Sequence, residues 1–388
     1  MSKHRTSPRL RLAAARSHRA AQAGLSLVEL MVAMTISLVI LAALVGLFTN
    51  TSRSNRETAR ANSMIESGRL SVQVLEADVL HAGYWGTHVS TFDDQTFDAA
   101  PDDAPTFIPD PCLAYDPAAW DEDYVDSLVG LPVQAYDDAA VCAGIITDRL
   151  PGTDVLVVRH AENCVAGGPS PNCNGVVAGR LYFQSSLCAS DVDAYVLGTA
   201  GFNLRQRDCV TAAEIRRFMS TIYYVRDYSV TPGDGIPTLM RSVFDLTPGG
   251  DLEHQPPVPL IEGIAGFHVE FGVDDLSETG APVDYTTPVA WVDPETRTSA
   301  SNRGDGVPDD EFIHCSTAAP CTVDELTNVS AVRLFILSRS REPSQGLTDM
   351  KTYTLGDQVL GPFDDAFQRH LFVTTVRLPN VAGRRITP

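Results

Sequence analysis

Lysine is almost absent from this chain of 388 residues: the only two are Lys3 and Lys351. Acidic residues outnumber Lys and Arg together by 49 to 29, and the net charge is −20. No basic stripe occurs after residue 24. Because recognition of nucleic-acid phosphates requires clustered cations, the composition excludes nucleic acid as the main partner.

Catalytic signatures are also absent. The sequence contains no G-x-S-x-G, no H-E-x-x-H and no phosphate-binding P-loop. His160, at the end of a predicted strand and close to Glu162, is the nearest candidate for a general base. A packed or solvated histidine is the simpler interpretation. We therefore expect a protein that is not an enzyme and needs no cofactor, with a membrane-anchored enzyme as the alternative.

One long apolar run, Leu25–Phe48, contains Glu29 as its only charged residue. A helix of that length spans about 36 Å, enough to cross a hydrocarbon core of roughly 30 Å. The first 24 residues contribute +6 and no acid, so the remaining chain carries −26. A basic segment before a membrane helix stays on the cytoplasmic side, which predicts export of the acidic bulk.

The eight cysteines all follow the apolar run, and their number is even. No C-x-x-C and no histidine pair at zinc-finger spacing occurs, so metal binding by cysteine is the weaker interpretation. An exported chain favours disulfides, although eight cysteines allow about 105 pairings. Closure between neighbours along the sequence suggests four pairs: Cys112–Cys142, Cys164–Cys173, Cys188–Cys209 and Cys315–Cys321.

Glu29 needs an explanation, because a carboxylate at membrane depth costs about 2.5–3.5 kcal/mol and usually has a partner. No Lys, Arg or His lies between Leu25 and Ser52. A cleaved signal peptide fits poorly, since the small residues precede the apolar run. A plain signal anchor leaves Glu29 unexplained. Cleavage between Gly24 and Leu25 would create an amine four residues before Glu29, which could pair with the carboxylate of an adjacent helix.

The segment AGLSLVELMVAMTISLVILAALVGLF resembles the processing site and helix of type IV prepilins. In that family a basic leader ends in a glycine before the cleaved bond, and a glutamate is fifth after it. Gly24, Leu25 and Glu29 occupy these positions. The resemblance implies cleavage between Gly24 and Leu25 and methylation of the new amine, although the family usually has phenylalanine where Leu25 stands. Gly46 lies where pilin helices often loosen during assembly.

Later segments narrow the resemblance to minor pilins of the PilW type. These are ESGRLSVQVLEADVLHAGYWG, IYYVRDYSVTPGDGIPTLMRSVFD, VRLFILSRSREP and RHLFVTTVRLPN. The implied function is a low-copy subunit that primes pilus assembly or forms the tip complex. A type II secretion pseudopilin and a membrane-anchored surface binding protein are the alternatives.

The same resemblance implies partners and a location. The partners are a prepilin peptidase that also methylates, other minor and major pilins, the inner-membrane assembly platform and a tip adhesin. Before assembly the chain would cross the inner membrane once, with its head in the periplasm. After assembly it would lie in the extracellular pilus, where it would serve adhesion and twitching motility.

The fold expected is α+β and pilin-like, with a long N-terminal helix on an antiparallel sheet head that carries long disulfide-bonded loops. Apolar Ile65, Val72, Leu75 and Val79 predict one amphipathic face of a helix that continues to about Leu80. We divide the chain into a removed leader, a membrane helix, its amphipathic continuation and the head, at residues 1–24, 25–48, 49–84 and 85–388.

Predicted strands follow the helix, and two of them flank the turn residues Pro232–Gly235 as a hairpin. The strands are Val155–Arg159, Arg180–Gln184, Thr221–Tyr228, Thr238–Asp245, Gly266–Val273, Ala331–Leu337 and His370–Leu378. The acidic stretch Asp93–Asp126 is expected to be a solvated loop.

A weak calcium candidate lies in SNRGDGVPDDEF, where Asp305 and Asp309 flank Gly306. Oxygen-rich calcium loops place acids or amides at alternating positions around a glycine turn. Arg303 occupies a place where an acid is needed, and Phe312 replaces the closing glutamate. A surface turn is the alternative.

Overall fold

A computed structural model describes residues 24, 26–138, 140–170 and 173–385. Leu25 and the leader before Gly24 lie outside these residues. The chain divides into two units, residues 1–57 and 58–388. Helix α1 runs from Leu27 to Val79, close to the predicted span, because no proline interrupts it.

The second half of α1 packs on the sheets of the head through a stripe of residues spaced three or four apart: Met64, Gly68, Ser71, Leu75 and Val79. The predicted face shares Leu75 and Val79 with this stripe. The other residues of the predicted face and of the buried stripe differ. Small residues in the stripe allow the helix to approach the sheets closely, which a purely apolar pattern does not reveal. A Cβ built on Gly68 would lie 2.1 Å from Cε2 of Phe372.

The helix ends shortly before Gly83, the predicted stop. Gly83 has φ +72°, the left-handed conformation that glycine adopts without strain. Its N–H donates to the carbonyl of Arg159 over 3.0 Å, so the chain turns directly onto the sheet.

The described residues of the head form thirteen strands in three antiparallel sheets, at the predicted positions and at several others. The eight-stranded sheet has the order β1-β2-β5-β3-β4, with β6 beside β5 and with β7 and β8 beside β6. Its strands are β1 Val133–Tyr136, β2 Val155–Val165, β3 Tyr182–Ser185, β4 Tyr195–Gly198, β5 Ile215–Arg226, β6 Thr238–Leu246, β7 Leu252–His254 and β8 Val258–Glu262. The predicted hairpin is β5–β6, with Val225 opposite Leu239.

A three-stranded sheet, β13-β10-β9, and the hairpin β11–β12 complete the head. The strands are β9 Ile264–Val273, β10 Val329–Arg339, β11 Tyr353–Leu355, β12 Gln358–Leu360 and β13 Arg369–Arg377. The main core joins Leu75 and Val79 of α1 to Val158 of β2 and to Phe267 and Val332 of the smaller sheet. The predicted α+β architecture is confirmed.

Three short helices were not predicted: α2 Glu122–Gly130, α3 Val323–Thr327 and α4 Pro379–Arg385. The first lies at the end of the stretch expected to be a solvated acidic loop. Asp121 caps it by accepting the N–H of Tyr124 over 3.0 Å, and Tyr124 and Trp120 are buried in an aromatic cluster. The expectation was therefore wrong for this end, because aromatic side chains anchor it despite the surrounding acids.

All eight cysteines are paired in the head. The disulfides are Cys112–Cys142, Cys164–Cys173, Cys188–Cys209 and Cys315–Cys321, the pairs of sequence neighbours. They close loops of 30, 9, 21 and 6 residues. All cysteines but Cys164, which lies near the end of β2, are in segments between regular elements, where a covalent bond holds loops that a core alone would not.

Candidate functional site

The first half of α1 presents an uninterrupted apolar surface. Its most apolar window has a mean hydropathy of 2.7, and none of that window is buried. Length and composition make this helix able to cross a membrane. Leu27, the first residue of α1, and Phe48, the last residue of the apolar run, are each 74% exposed. A surface of this size needs either lipid or other helices around it.

Glu29 lies in the first turn of this surface and is exposed. Its Oε2 accepts the backbone N–H of Ser26 over 2.9 Å, while the carbonyl of Ser26 accepts the N–H of Leu30 over 3.0 Å. The carboxylate therefore caps one unpaired N–H at the start of the helix, where the helix dipole also favours negative charge. Gly24 is exposed, and the other residue of the predicted cleavage site, Leu25, lies outside the described residues.

Gly46 also lies on the exposed helix, and a Cβ there would have open space within 4 Å. This glycine is therefore not required by packing within its own unit. Glycine lowers helix stability by about 1 kcal/mol relative to alanine, and loosening at Gly46 during assembly stays a prediction.

Asp78 fastens the other end of α1 to the large sheet. One carboxylate oxygen lies 3.1 Å from Nε2 of His160 on β2, and the other accepts the hydroxyl of Tyr223 on β5 over 3.0 Å. His160, the residue considered as a general base, thus contacts Asp78, whose carboxylate joins the end of α1 to the large sheet. Its geometry supports a structural role.

The weak calcium candidate is held by backbone contacts. Asp305 Oδ1 accepts the N–H of Val307 over 2.9 Å, and Asp309 Oδ2 accepts the N–H of Leu276 over 2.7 Å. Among the described residues, neither aspartate belongs to a group of three possible metal ligands within 4.8 Å of one another. Calcium binding there stays a prediction.

Histidines and acids gather instead at a place that the sequence did not reveal. Asp154, His268 and His314 form one such group, and His268, Glu270 and Asp357 form a second. The two imidazole rings are 4.2 Å apart between centroids. Asp154 lies beside one edge of both rings, 3.1 Å from His268 Nδ1 and 3.3 Å from His314 Nε2. Asp357 lies beside the opposite edge, 3.1 Å from His268 Nε2 and 3.3 Å from His314 Nδ1.

The carboxylates change the titration of this group. Burial alone lowers the pKa of His314, but the hydrogen bonds and charges of Asp154 and Asp357 outweigh it and raise the pKa to about 9. Burial alone raises the pKa of Asp154, and the two histidines outweigh it and hold that pKa below its usual range. No sequence motif could identify these residues, since Asp154 and His314 lie 160 positions apart.

Two family models match the chain. The model of type IV pilus-assembly protein W matches residues 222–380, and the prokaryotic N-terminal methylation motif matches residues 19–45. The second match contains Gly24, Leu25 and Glu29 and continues through the exposed apolar helix. The first contains β6, the three-stranded sheet and the β11–β12 hairpin. Together the two matches support a PilW-like type IV pilin.

Among solved structures, the pilin is similar to a type IV-like pilin from Thermus thermophilus, with 11% sequence identity and a TM-score of 0.31. The match covers 82% of this chain and 96% of the other. No curated protein matches the pilin.

These matches have three consequences for the pilin. The family of the larger match consists of pilin structural proteins. The methylation motif implies processing by a peptidase and assembly with other pilins. Together with the apolar helix, it supports a membrane-anchored pilin.

Proposed function

We propose that this pilin is a minor subunit of the type IV pilus, built into the filament at low copy to prime assembly or to form the tip complex. One observation supports the proposal above the others. A carboxylate, Glu29, lies in the first turn of an exposed apolar helix directly after a cleavage motif. No cation lies between Leu25 and Ser52 to neutralise it within the chain.

Cleavage between Gly24 and Leu25 gives this carboxylate a partner. The prepilin peptidase releases the basic leader, residues 1–24, and methylates the amine that Leu25 gains. When helices pack side by side, the amine of one subunit meets Glu29 of its neighbour. Pairing offsets the cost of about 2.5–3.5 kcal/mol for a lone carboxylate in an apolar bundle. An unprocessed chain lacks the amine and cannot make the contact.

The remaining segments follow from this function. Residues 25–48 anchor the subunit in the inner membrane and later form the filament core. Residues 49–84 continue the helix, and residues 85–388 form the head, in the periplasm before assembly and outside the cell afterwards. The assembly platform, other minor and major pilins and a tip adhesin are the proposed partners.

The test replaces Glu29 and measures processing and incorporation separately. We expect Glu29→Ala and the isosteric Glu29→Gln to be cleaved normally, because the scissile bond and leader are unchanged. Both should be strongly depleted from sheared pili. Glu66→Ala is the matched control, since Glu66 is an exposed acid further along the same helix. Immunoblots of membranes and of sheared pili report the two steps.

Incorporation of Glu29→Gln at the wild-type level would contradict the charge pairing. N-terminal sequencing of the purified protein separates the pilin from a surface anchor. A methylated Leu25 is expected, whereas a chain that still begins at Met1 in functional filaments would exclude the proposal.

A further inference from the structure

His268 is a fully buried histidine whose ring nitrogens face carboxylates without well-aligned hydrogen bonds. Its side chain is 0% exposed, and Asp154 and Asp357 lie 3.1 Å from Nδ1 and Nε2. Among the residues that the structure describes, neither contact has the geometry of a normal hydrogen bond, so the carboxylates lie off the direction in which each nitrogen donates or accepts. A buried ring with such poorly aligned partners requires an explanation.

Two atoms that bind the same metal ion also lie close together without being aligned for a hydrogen bond to each other. Zinc binds imidazole nitrogen and carboxylate oxygen at about 2.0–2.2 Å, so two ligands of a tetrahedral site lie about 3.3 Å apart with both lone pairs directed at the ion. Asp154 lies at 3.1 Å from His268 Nδ1 and 3.3 Å from His314 Nε2. Two imidazoles and one carboxylate also form a donor set suited to first-row divalent ions.

The Nδ1 edge of His268 suits a cation better than the Nε2 edge. At the Nε2 edge, Glu270 already contacts a cation, because its Oε2 lies 3.3 Å from Nη1 of Arg333. That guanidinium would repel a metal ion nearby. At the Nδ1 edge the carboxylate of Asp154 is shared between two histidines. Asp357 lies 3.1 Å and 3.3 Å from the opposite nitrogens of the two rings, the place that carboxylates commonly occupy behind metal-bound histidines.

The surrounding backbone holds the three residues in place. Asp154 Oδ2 accepts the N–H of Val269 over 2.8 Å, which ties the start of β2 to β9. His314 is fixed on one side by the paired backbones of Ile313 and Phe271 and on the other by the disulfide of Cys315.

The turn between β11 and β12 covers the group from the Nε2 edge. A Cβ on Gly356 would lie 3.0 Å from His268 Nε2 and 1.8 Å from Glu270 Oε1, so only glycine fits there. The turn therefore also limits movement of the buried ring.

We propose that Asp154, His268 and His314 bind one divalent cation of the first transition row, with zinc as the best fit, and that Asp357 positions both rings from the opposite edge. The ion would join β9 to the segment before β2 and to the disulfide loop of His314. A water molecule would complete the coordination. The site is independent of the assembly helix.

The test uses the full processed chain in detergent, stripped with a chelator and titrated with zinc in a calorimeter. We expect about one zinc ion per chain. His314→Gln and Asp154→Asn should each weaken binding by at least about 100-fold, because loss even of an outer partner of a ligand costs about 10–100-fold. Asp357→Asn should weaken it by about 10-fold. His370→Gln is the control, since His370 is an exposed histidine on β13.

Cobalt substitution tests the coordination without any variant. Strong visible absorption bands are expected from cobalt bound to nitrogen and oxygen in a four-coordinate site, whereas the weak spectrum of hydrated cobalt would overturn the proposal. Zinc binding that survives His314→Gln and Asp154→Asn, with circular dichroism showing both variants folded, would also overturn it. So would the absence of zinc binding by the wild-type chain.

Discussion

Gly68 lies where helix α1 meets strand β13, and the absence of a side chain there allows Phe372 to approach the helix closely. A Cβ at this position would lie 2.1, 2.5 and 2.8 Å from three ring carbons of Phe372. Carbon atoms in contact are normally about 3.5–4.0 Å apart, so Gly68→Ala forces the ring to move by more than about 1 Å.

Two effects of opposite sign determine the outcome. Overpacking of a formed contact costs about 1–3 kcal/mol, whereas alanine gains about 1 kcal/mol over glycine inside a helix. We therefore expect Gly68→Ala to lower the free energy of unfolding by up to about 2 kcal/mol in the otherwise wild-type chain. A Phe372→Ala background removes the clash. There, Gly68→Ala should instead raise the free energy of unfolding by about 1 kcal/mol. The sign of the effect reverses between the two backgrounds.

Urea unfolding of the processed chain in detergent, followed by tryptophan fluorescence, measures both effects, because Trp85 and Trp120 are buried in the head. Asn62→Ala, at an exposed position of the same helix, reports the gain in helix propensity alone. If Gly68→Ala stabilises both backgrounds equally, the close approach of Phe372 is wrong.

Two further predictions concern buried charge. Burial, and then the charge of Arg159, lowers the pKa of His254 to about 3. At pH values below the ordinary histidine pKa of about 6.5, His254 therefore binds a proton in the unfolded chain but not in the folded chain. Stability contributed by His254 is complete above pH 6.5 and falls by about 2–4 kcal/mol at pH 4. His254→Gln should flatten this part of the pH profile of the free energy of unfolding, and an unchanged profile would contradict the prediction. Arg385 lies 3.0 Å from Asp93 and 3.1 Å from Asp274, both buried. Arg385→Met should therefore cost about 3–5 kcal/mol in urea unfolding, and a loss below about 1 kcal/mol would show that these carboxylates are solvated.

The features predictable from the sequence depend on neighbouring residues. The length of the apolar run indicates a membrane helix before any tertiary contact is known, while the basic leader and the position of Glu29 predict its processing. The β5–β6 hairpin follows from alternating apolar residues on both sides of Pro232–Gly235, because a short turn leaves few pairings. The four disulfides join cysteines next to each other in the sequence, where loop closure costs least.

Other features depend on distant segments, and local patterns carry no information about them. The stripe that α1 buries includes Gly68 because strand β13, about 300 residues later, brings Phe372 against it. Asp93, expected to be solvated, is buried because Arg385 reaches it across 292 positions. Asp154, His268 and His314 converge only when β9 pairs with the segment before β2 and with the loop of Cys315. Periodicity and turn chemistry act over a few residues, whereas these contacts depend on which strands become neighbours in the folded head.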